Sequence, residues 1–253
     1  MSLRVPALLI GISAFLSCGS RAITESPQSE WISPAYASAH FSLHYQQLDR
    51  ATIAQTAAAM EAEYSRIVDD LGGVESPRVD IWLYADHAAL ERALTPLIGT
   101  FPSWAAGAAS RRDRIHMMSP NAPAWQPYSR MITNLVHEFA HCVSLQRNGT
   151  IGNNPRWLWE SVAIYEAGQF RDPKSLAYMT ALTPPSLASL SSFDNTRVYE
   201  VGFTIGEFIV TRWGKPALVT LIGNNGDIQA TLGISQAQFE ADWFTFVRQK
   251  YLF

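Results

Sequence analysis

A segment of the chain at residues 129–145 constrains the fold most, because its pattern allows little besides a helix. Its apolar residues recur with the period of an amphipathic helix. They are Ile132, Leu135, Val136, Phe139, Ala140 and Val143. We expect Ser129 to cap the start of this helix, and Asn148-Gly149 to end it with a residue at positive φ. The segment is therefore predicted to be a helix with its apolar side chains on one face and its polar side chains on the others.

Residues 137–141 of that helix read His-Glu-Phe-Ala-His. Two histidines four residues apart lie on one helical face, one turn from each other. Two imidazoles in that position can bind one tetrahedral Zn²⁺. Glu138 follows His137 round the helix, so its carboxylate can flank the metal and accept a proton from water. By chance alone, His-Glu-x-x-His occurs in roughly one chain in a hundred of this length, so the prediction needs further support.

A second predicted helix supplies that support. Residues 148–155 are rich in Gly, Asn and Pro, and Pro155 is suited to open a helix that carries Glu160. Two helices joined by a short loop pack as antiparallel neighbours. Glu160 can then reach the metal from the side, which predicts His137, His141 and Glu160 as the zinc ligands.

The pattern resembles the gluzincin zinc metallopeptidases and is most similar to small bacterial peptidase-MA-like domains, whose second helix reads Trp-Leu-x-Glu-Gly-x-Ala-x-Tyr. The resemblance implies a zincin-like fold, a single Zn²⁺ on His137, His141 and Glu160, Glu138 as general base, and a peptide or protein substrate. Residues 129–168 carry its specific motif. Ser161 stands where these domains usually have Gly, and it leaves the ligands and the base in place.

The resemblance also implies a hydrogen-bond donor for the developing oxyanion. In gluzincins this donor is typically a Tyr or His of the C-terminal helical part. Tyr199, at the start of a helix predicted at residues 198–213, is our candidate, and the alternative is that it simply packs in the core. His116, on a strand predicted at residues 114–118, is a second candidate for the wall of the site.

In gluzincins a strand upstream of the zinc helix lines the cleft and pairs with the substrate backbone. Residues 105–118 occupy that place here, and Gly107, Ala108 and Ala109 would let a peptide approach closely. The large aminopeptidases carry Gly-x-Met-Glu-Asn in this region to hold a free amine. This chain lacks that motif, which favours an endopeptidase over an aminopeptidase.

The remaining pattern predicts an α+β fold in one catalytic domain, residues 38–253. Strands are expected at residues 40–45, 79–84 and 114–118, in a small, mostly antiparallel sheet packed with helices. Further helices are expected at residues 51–71, 86–94, 198–213, 216–222 and 236–251, so the C-terminal part is helical. Asp86 is expected to cap the second of these helices, and Gly202 and Gly206 to serve close packing.

The N-terminus predicts export. Residues 1–18 combine Arg4, an apolar run and Cys18, and they resemble a bacterial lipoprotein signal in which Cys18 is lipidated. Ordinary secretion with cleavage near Ser20–Ala22 and a retained signal anchor are the alternatives. Residues 19–37 are predicted to be a tether. Cys142 would then have no partner for a disulfide, and we expect it to be a small buried core residue.

Two functions remain open from the sequence. The first is a zinc-dependent peptidase of the cell envelope that touches the membrane only through a lipid on Cys18. The alternative is a catalytically silent, zinc-containing envelope lipoprotein that binds partners in its cleft. Glu138 favours the first, because a binding protein needs no base beside its metal. The net charge of −3 gives no reason to expect a nucleic-acid partner.

Overall fold

The computed structural model describes residues 31–73, 78–122 and 126–253. The predicted signal at residues 1–18, the proposed lipid on Cys18 and the tether up to residue 30 lie outside the described residues. Among the helices of the described residues, none has both the length and the hydrophobicity needed to cross a membrane.

Five strands of the described chain form one sheet in the order β1-β2-β3-β5-β4. They are β1 Tyr36–Ala37, β2 Phe41–His44, β3 Val79–Tyr84, β4 Gly107–Arg111 and β5 Arg114–Met118. The outer pairs, β1 with β2 and β4 with β5, are antiparallel. The inner pairs, β2 with β3 and β3 with β5, are parallel.

Two helices connect the parallel strands, and the described residues contain ten α-helices in all. They are α1 Ile53–Leu71, α2 His87–Ile98, α3 Tyr128–Arg147, α4 Arg156–Glu166, α5 Ala177–Thr180, α6 Leu187–Leu190, α7 Val198–Trp213, α8 Lys215–Gly223, α9 Ile228–Leu232 and α10 Gln236–Val247. Helix α1 connects β2 to the parallel β3, and α2 followed by the β4–β5 hairpin brings the chain from β3 to the parallel β5. The predicted α+β class with a helical C-terminal part is confirmed, and the sheet is mixed, with half of its pairings antiparallel.

Local signals set several boundaries as predicted. Strands β3 and β5 and helix α7 have the expected bounds. Helix α1 ends at Gly72, whose φ of 60° allows a left-handed cap. The side chain of Asp86 accepts a hydrogen bond from the Ala89 N–H at 2.8 Å and caps α2.

The ends of α3 differ from the prediction. The helix starts at Tyr128 after Pro127, so Ser129 lies within the first turn and is not the cap. At the other end Asn148 is extended, with φ of −147°, so the expected residue at positive φ is absent there. Instead, the Asn148 side-chain amide donates to the Ile222 carbonyl of α8 at 2.8 Å. The Asn148 side-chain oxygen also accepts from the Thr150 N–H at 2.9 Å, so α3 ends in a local turn without positive φ that a tertiary hydrogen bond reinforces.

The middle of the His-Glu-Phe-Ala-His segment anchors α3 on the sheet. Phe139 is fully buried, and its ring lies 5.2 Å from the Phe41 ring of β2 and 5.5 Å from the Tyr64 ring of α1. Cys142, one turn away, is also fully buried, as predicted, and its thiol donates to the Arg111 carbonyl at 3.3 Å. This burial sets the rotation of α3, so that the two histidines face α4.

A buried charge cluster ties the end of α4 to α1. The Glu166 side chain is 1% exposed, and its carboxylate accepts a hydrogen bond from Arg66 Nη1 at 2.7 Å. Arg66 Nη2 also donates to the Glu166 carbonyl at 2.7 Å. Burial, followed by the negative charge of Asp70, nevertheless raises the pKa of Glu166 to about 7, although Arg66 and Lys215 lower it. The ion pair with Arg66 favours the charged form of Glu166, and burial favours the neutral form. The raised pKa shows that burial has the larger effect on this side chain.

We expect Glu166→Gln to increase stability more at pH 8 than at pH 5. Because its folded-state pKa is raised above the ordinary 4.5, the stability that protonated Glu166 contributes is lost as the pH rises from 4.5 through about 7. Glutamine avoids this loss, which amounts to about 1–3 kcal/mol at pH 8. Urea unfolding at both pH values measures the difference. A variant less stable than the wild type at pH 8 would show that the Arg66 pair outweighs burial.

Candidate metal centre

Three buried side chains meet between α3 and α4 and could hold a metal ion. They are His137 and His141 of α3 and Glu160 of α4, and one donor atom of each lies within 4.8 Å of the others. His137 Nε2 is 3.4 Å from Glu160 Oε2, and His141 Nε2 is 3.8 Å from the same oxygen. The structure thus brings together the three ligands predicted from the sequence.

The geometry of this group fits a small cation better than direct hydrogen bonds. Two ligands of a tetrahedral ion with bonds of about 2.0–2.2 Å lie roughly 3.3–3.6 Å apart, which matches the 3.4 Å from His137 to Glu160, while the 3.8 Å from His141 to Glu160 is slightly longer. Those separations are at or beyond the limit of a good hydrogen bond. Glu160 Oε2 is buried and has no hydrogen-bond partner among the described residues. An unpartnered buried carboxylate oxygen is costly, and a cation would remove that cost.

The protonation states of Glu160 and His141 suit a metal, whereas His137 would have to lose a proton to bind one. Burial raises the pKa of Glu160, but the imidazoles of His137 and His141 outweigh it and hold that pKa well below the usual range. Burial lowers the pKa of His141, while the nearby carboxylates raise that of His137 against the effect of burial. An ionised carboxylate and a neutral imidazole are the forms that bind metal ions.

Each histidine is held by a different kind of contact. The His141 ring stacks on the indole of Trp159, with the ring centres 3.9 Å apart and the planes 5° from parallel. His137 Nδ1 instead lies 2.8 Å from the side-chain oxygen of Gln169. An acceptor at Nδ1 places the proton there and leaves Nε2 free for a metal. Neither Trp159 nor Gln169 was predicted from the sequence, although the position of Trp159 beside Glu160 was a signal for the first.

Glu138 lies beside the ligand group and outside it. Its Oε2 accepts a hydrogen bond from the backbone N–H of Ala109 at 2.7 Å. Ala109 belongs to β4, the strand at the edge of the sheet next to α3. The negative charge of Glu138 also raises the pKa of His137. The structure therefore holds the Glu138 carboxylate on the edge strand β4, next to His137 along α3 and outside the three-ligand group.

Tyr199 of α7 also reaches the site. Its hydroxyl donates to Glu160 Oε1 at 3.1 Å, and its ring packs 5.5 Å from Trp104, which is 52% exposed. Burial, and then the charge of Glu160, raise the pKa of Tyr199, so the phenol stays protonated and can donate. The structure thus brings Tyr199 to the ligands, with its hydroxyl engaged by one of them.

A buried arginine supports Tyr199 from the other side. The Arg156 guanidinium carbon lies 5.3 Å from the centre of the Tyr199 ring, and its Nε is 4.0 Å from Glu160 Oε1. Arg156 Nη1 donates to the carbonyls of Ser192 and Asn195 at 3.1 and 2.8 Å. These contacts satisfy a charge that is only 4% exposed and fix it next to Glu160.

His116 does not line this group. It neighbours Ile115, which pairs across the sheet with Ile81 and, beyond it, Leu43. Leu43 and Phe41 lie two residues apart on β2 and face α3, because Phe41 contacts Phe139. His116 therefore points to the opposite face of the sheet, where its Nδ1 lies 2.8 Å from the Tyr84 hydroxyl. The expectation that His116 forms a wall of the site is corrected by the strand register.

Close packing of α4 on α7 sets the position of Tyr199. A Cβ on Gly202 would come 2.8 Å from Ile164 Cδ1, and one on Gly206 would come 2.5 Å from Tyr165 Cβ. These separations are too short for real side-chain contacts, so the two glycines of α7 serve close packing, as predicted. Ser161 is fully buried against Gly202, and the absence of a side chain at Gly202 leaves room for the serine.

Comparison of the chain with models of known protein families finds no match, and comparison with curated protein sequences finds none either.

Proposed function

We propose that this protein is a zinc-dependent peptidase of the gluzincin type, which uses water to hydrolyse peptide bonds. The observation that carries the proposal is the carboxylate of Glu138, held beside a three-ligand group without belonging to it. A purely structural metal site needs no such base, whereas hydrolysis does.

The donor set of two imidazoles and one carboxylate is one that zinc uses in catalytic sites, where a fourth position stays open. A bound Zn²⁺ would polarise the substrate carbonyl and lower the pKa of a water molecule beside it. Glu138 accepts the proton of that water as its oxygen adds to the carbonyl carbon. The C–N bond then breaks, and Glu138 delivers the proton to the departing amine.

The edge strand β4 supplies the surface on which a peptide would lie. One side of β4 pairs with β5, and no strand of the described sheet pairs with its other side, where a peptide could add. The N–H of Ala109 points to that side, where it holds Glu138. A peptide that extends β4 would therefore pass next to the base. The region carries Asp113 as its one acidic residue from 105 to 114, so an internal peptide bond suits it better than a free amino terminus.

Tyr199 is the proposed donor to the oxyanion of this reaction. We expect Tyr199→Phe to lower kcat by about 10²–10³-fold, because one donor to the developing charge is removed. Zinc affinity should change less than tenfold, since the three ligands stay in place. Peptide cleavage and zinc competition, measured on the same protein, separate the two effects. A large loss of zinc affinity would mean that the hydroxyl acts only by holding Glu160.

The sequence adds a location to the proposal. An export signal at residues 1–18 and a lipid on Cys18 would put the enzyme in the bacterial cell envelope, with peptides or proteins there as substrates. Secretion without a lipid is the alternative for this part of the proposal.

Zinc content and turnover test the function together. The purified protein should hold zinc at a ratio near one and cleave members of a mixed peptide library. A chelator should stop cleavage, and added zinc should restore it. Zinc binding without cleavage would favour the silent envelope protein, an alternative that the engagement of the Tyr199 hydroxyl by Glu160 keeps open. A protein that binds no zinc would overturn both.

A further inference from the structure

We propose that Gln169 is a positioning residue for His137 and that a chain of neutral amides behind it tunes how tightly the metal is held. The inference rests on the zinc site of the proposed function and concerns residues that the motif does not include. Its starting point is the contact between His137 Nδ1 and Gln169 Oε1, at 2.8 Å.

Three side-chain amides follow one another from His137 outward. Gln169 Nε2 donates to Asn134 Oδ1 at 3.0 Å, and Asn134 Nδ2 donates to Gln126 Oε1 at 3.2 Å. Because each amide donates through its nitrogen to the next, the oxygen of Gln169 is left to face the imidazole. His137 Nδ1 must then carry the proton, and Nε2 keeps its lone pair for the metal. Hydrogen bonds in such a chain polarise one another, which strengthens the oxygen of Gln169 as an acceptor.

The backbone after α4 holds Gln169 in this place. Gly168 has φ of 64°, in the left-handed region, and its N–H bonds to the Tyr165 carbonyl at 3.0 Å. The Gln169 N–H bonds to the Ile164 carbonyl, also at 3.0 Å. This pair of bonds is a Schellman ending, which turns the chain back over the helix. Asn134 lies on α3 one turn before His137, so the first two amides are held by the two helices that carry the ligands.

The neutrality of the amide has a chemical consequence. Metal-bound histidines often donate to a carboxylate, which makes the imidazole a more basic ligand. This site already holds the carboxylates of Glu160 and Glu138. Gln169 orients His137 without adding a third negative charge, so the imidazole donates less electron density and the ion stays a stronger Lewis acid.

Zinc affinity tests the inference without reference to turnover. The full chain and its variants compete with a chromophoric chelator for Zn²⁺. We expect Gln169→Leu to bind zinc about 10–100-fold more weakly, because the ring loses its orienting partner. We expect Gln169→Glu to bind zinc at least as tightly as the wild type. Gln238→Leu removes an exposed amide from α10 and should match the wild type.

A spectroscopic signature separates positioning from simple packing. The Nδ1 proton of His137 should give a slowly exchanging imidazole N–H signal by NMR in the wild type and in Gln169→Glu, and lose it in Gln169→Leu. Equal zinc affinity in Gln169→Leu and the wild type would overturn the inference. Should Gln169→Leu not fold, Gln169→Glu decides, because weaker binding than in the wild type would overturn it too.

The two proposals fail in different ways. A wild-type protein that binds zinc and cleaves no peptide would overturn the peptidase, while the affinities of the Gln169 variants would still decide this inference. Cleavage that needs zinc, combined with unchanged affinity in Gln169→Leu, would overturn the role of Gln169 alone.

Discussion

Glu138→Gln is expected to abolish peptide hydrolysis while zinc stays bound. Glutamine has the shape of glutamate, and its side-chain oxygen can still accept the hydrogen bond from Ala109. It cannot accept a proton from water at neutral pH, so the general base is lost. Because general-base catalysis contributes about 10²–10⁴-fold, kcat should fall by that factor. Zinc affinity should remain, because His137, His141 and Glu160 form the ligand group without Glu138.

Single-turnover cleavage and zinc competition, performed on the same preparation, measure both expectations. Glu91→Gln is the matched control, since it makes the same chemical change on the exposed face of α2. Full activity in Glu138→Gln would remove Glu138 from the role of base. Loss of zinc in Glu138→Gln would show instead that this carboxylate helps to bind the metal.

Gly206→Ala is expected to destabilise the protein, although alanine is the better helix former. The added Cβ would come 2.5 Å from Tyr165 Cβ and 3.2 Å from the Ser161 carbonyl oxygen, so α7 has to move away from α4. Overpacking of this kind costs about 1–3 kcal/mol, which outweighs a helix-propensity gain of up to about 1 kcal/mol. The shift should also draw Tyr199 away from Glu160 and lower peptidase activity.

Gly223→Ala is the control for this change. Gly223 lies at the end of α8, and a Cβ there would meet no atom within 4 Å. Its free energy of unfolding should match or exceed that of the wild type in urea titrations. If Gly206→Ala proved as stable as Gly223→Ala, close packing of α4 on α7 could not be what holds Tyr199 in place.

The sequence by itself determined the parts of this protein that depend on local spacing. The four-residue interval between His137 and His141 places both imidazoles on one face of α3, whatever the rest of the chain does. The apolar period of residues 129–145 and the alternation in β3 likewise set their elements, because neighbouring side chains must share one buried face. Glu160 could be assigned as the third ligand because two helices joined by a short loop pack against each other, which brings α4 next to α3.

Only the tertiary structure decided the features that join residues far apart in the chain. The register of the strands placed His116 on the face away from α3, and pairing between strands is set by contacts that local sequence does not record. The hydrogen bond from Asn148 to Ile222 joins the end of α3 to α8, a contact that the local turn residues do not record. Tyr199 reached Glu160 because Gly202 and Gly206 let two helices approach, and Gln169 reached His137 because Gly168 turned the chain. Such contacts depend on how helices and strands pack together. That packing is determined by all the buried side chains at once, and no single segment of the sequence specifies it.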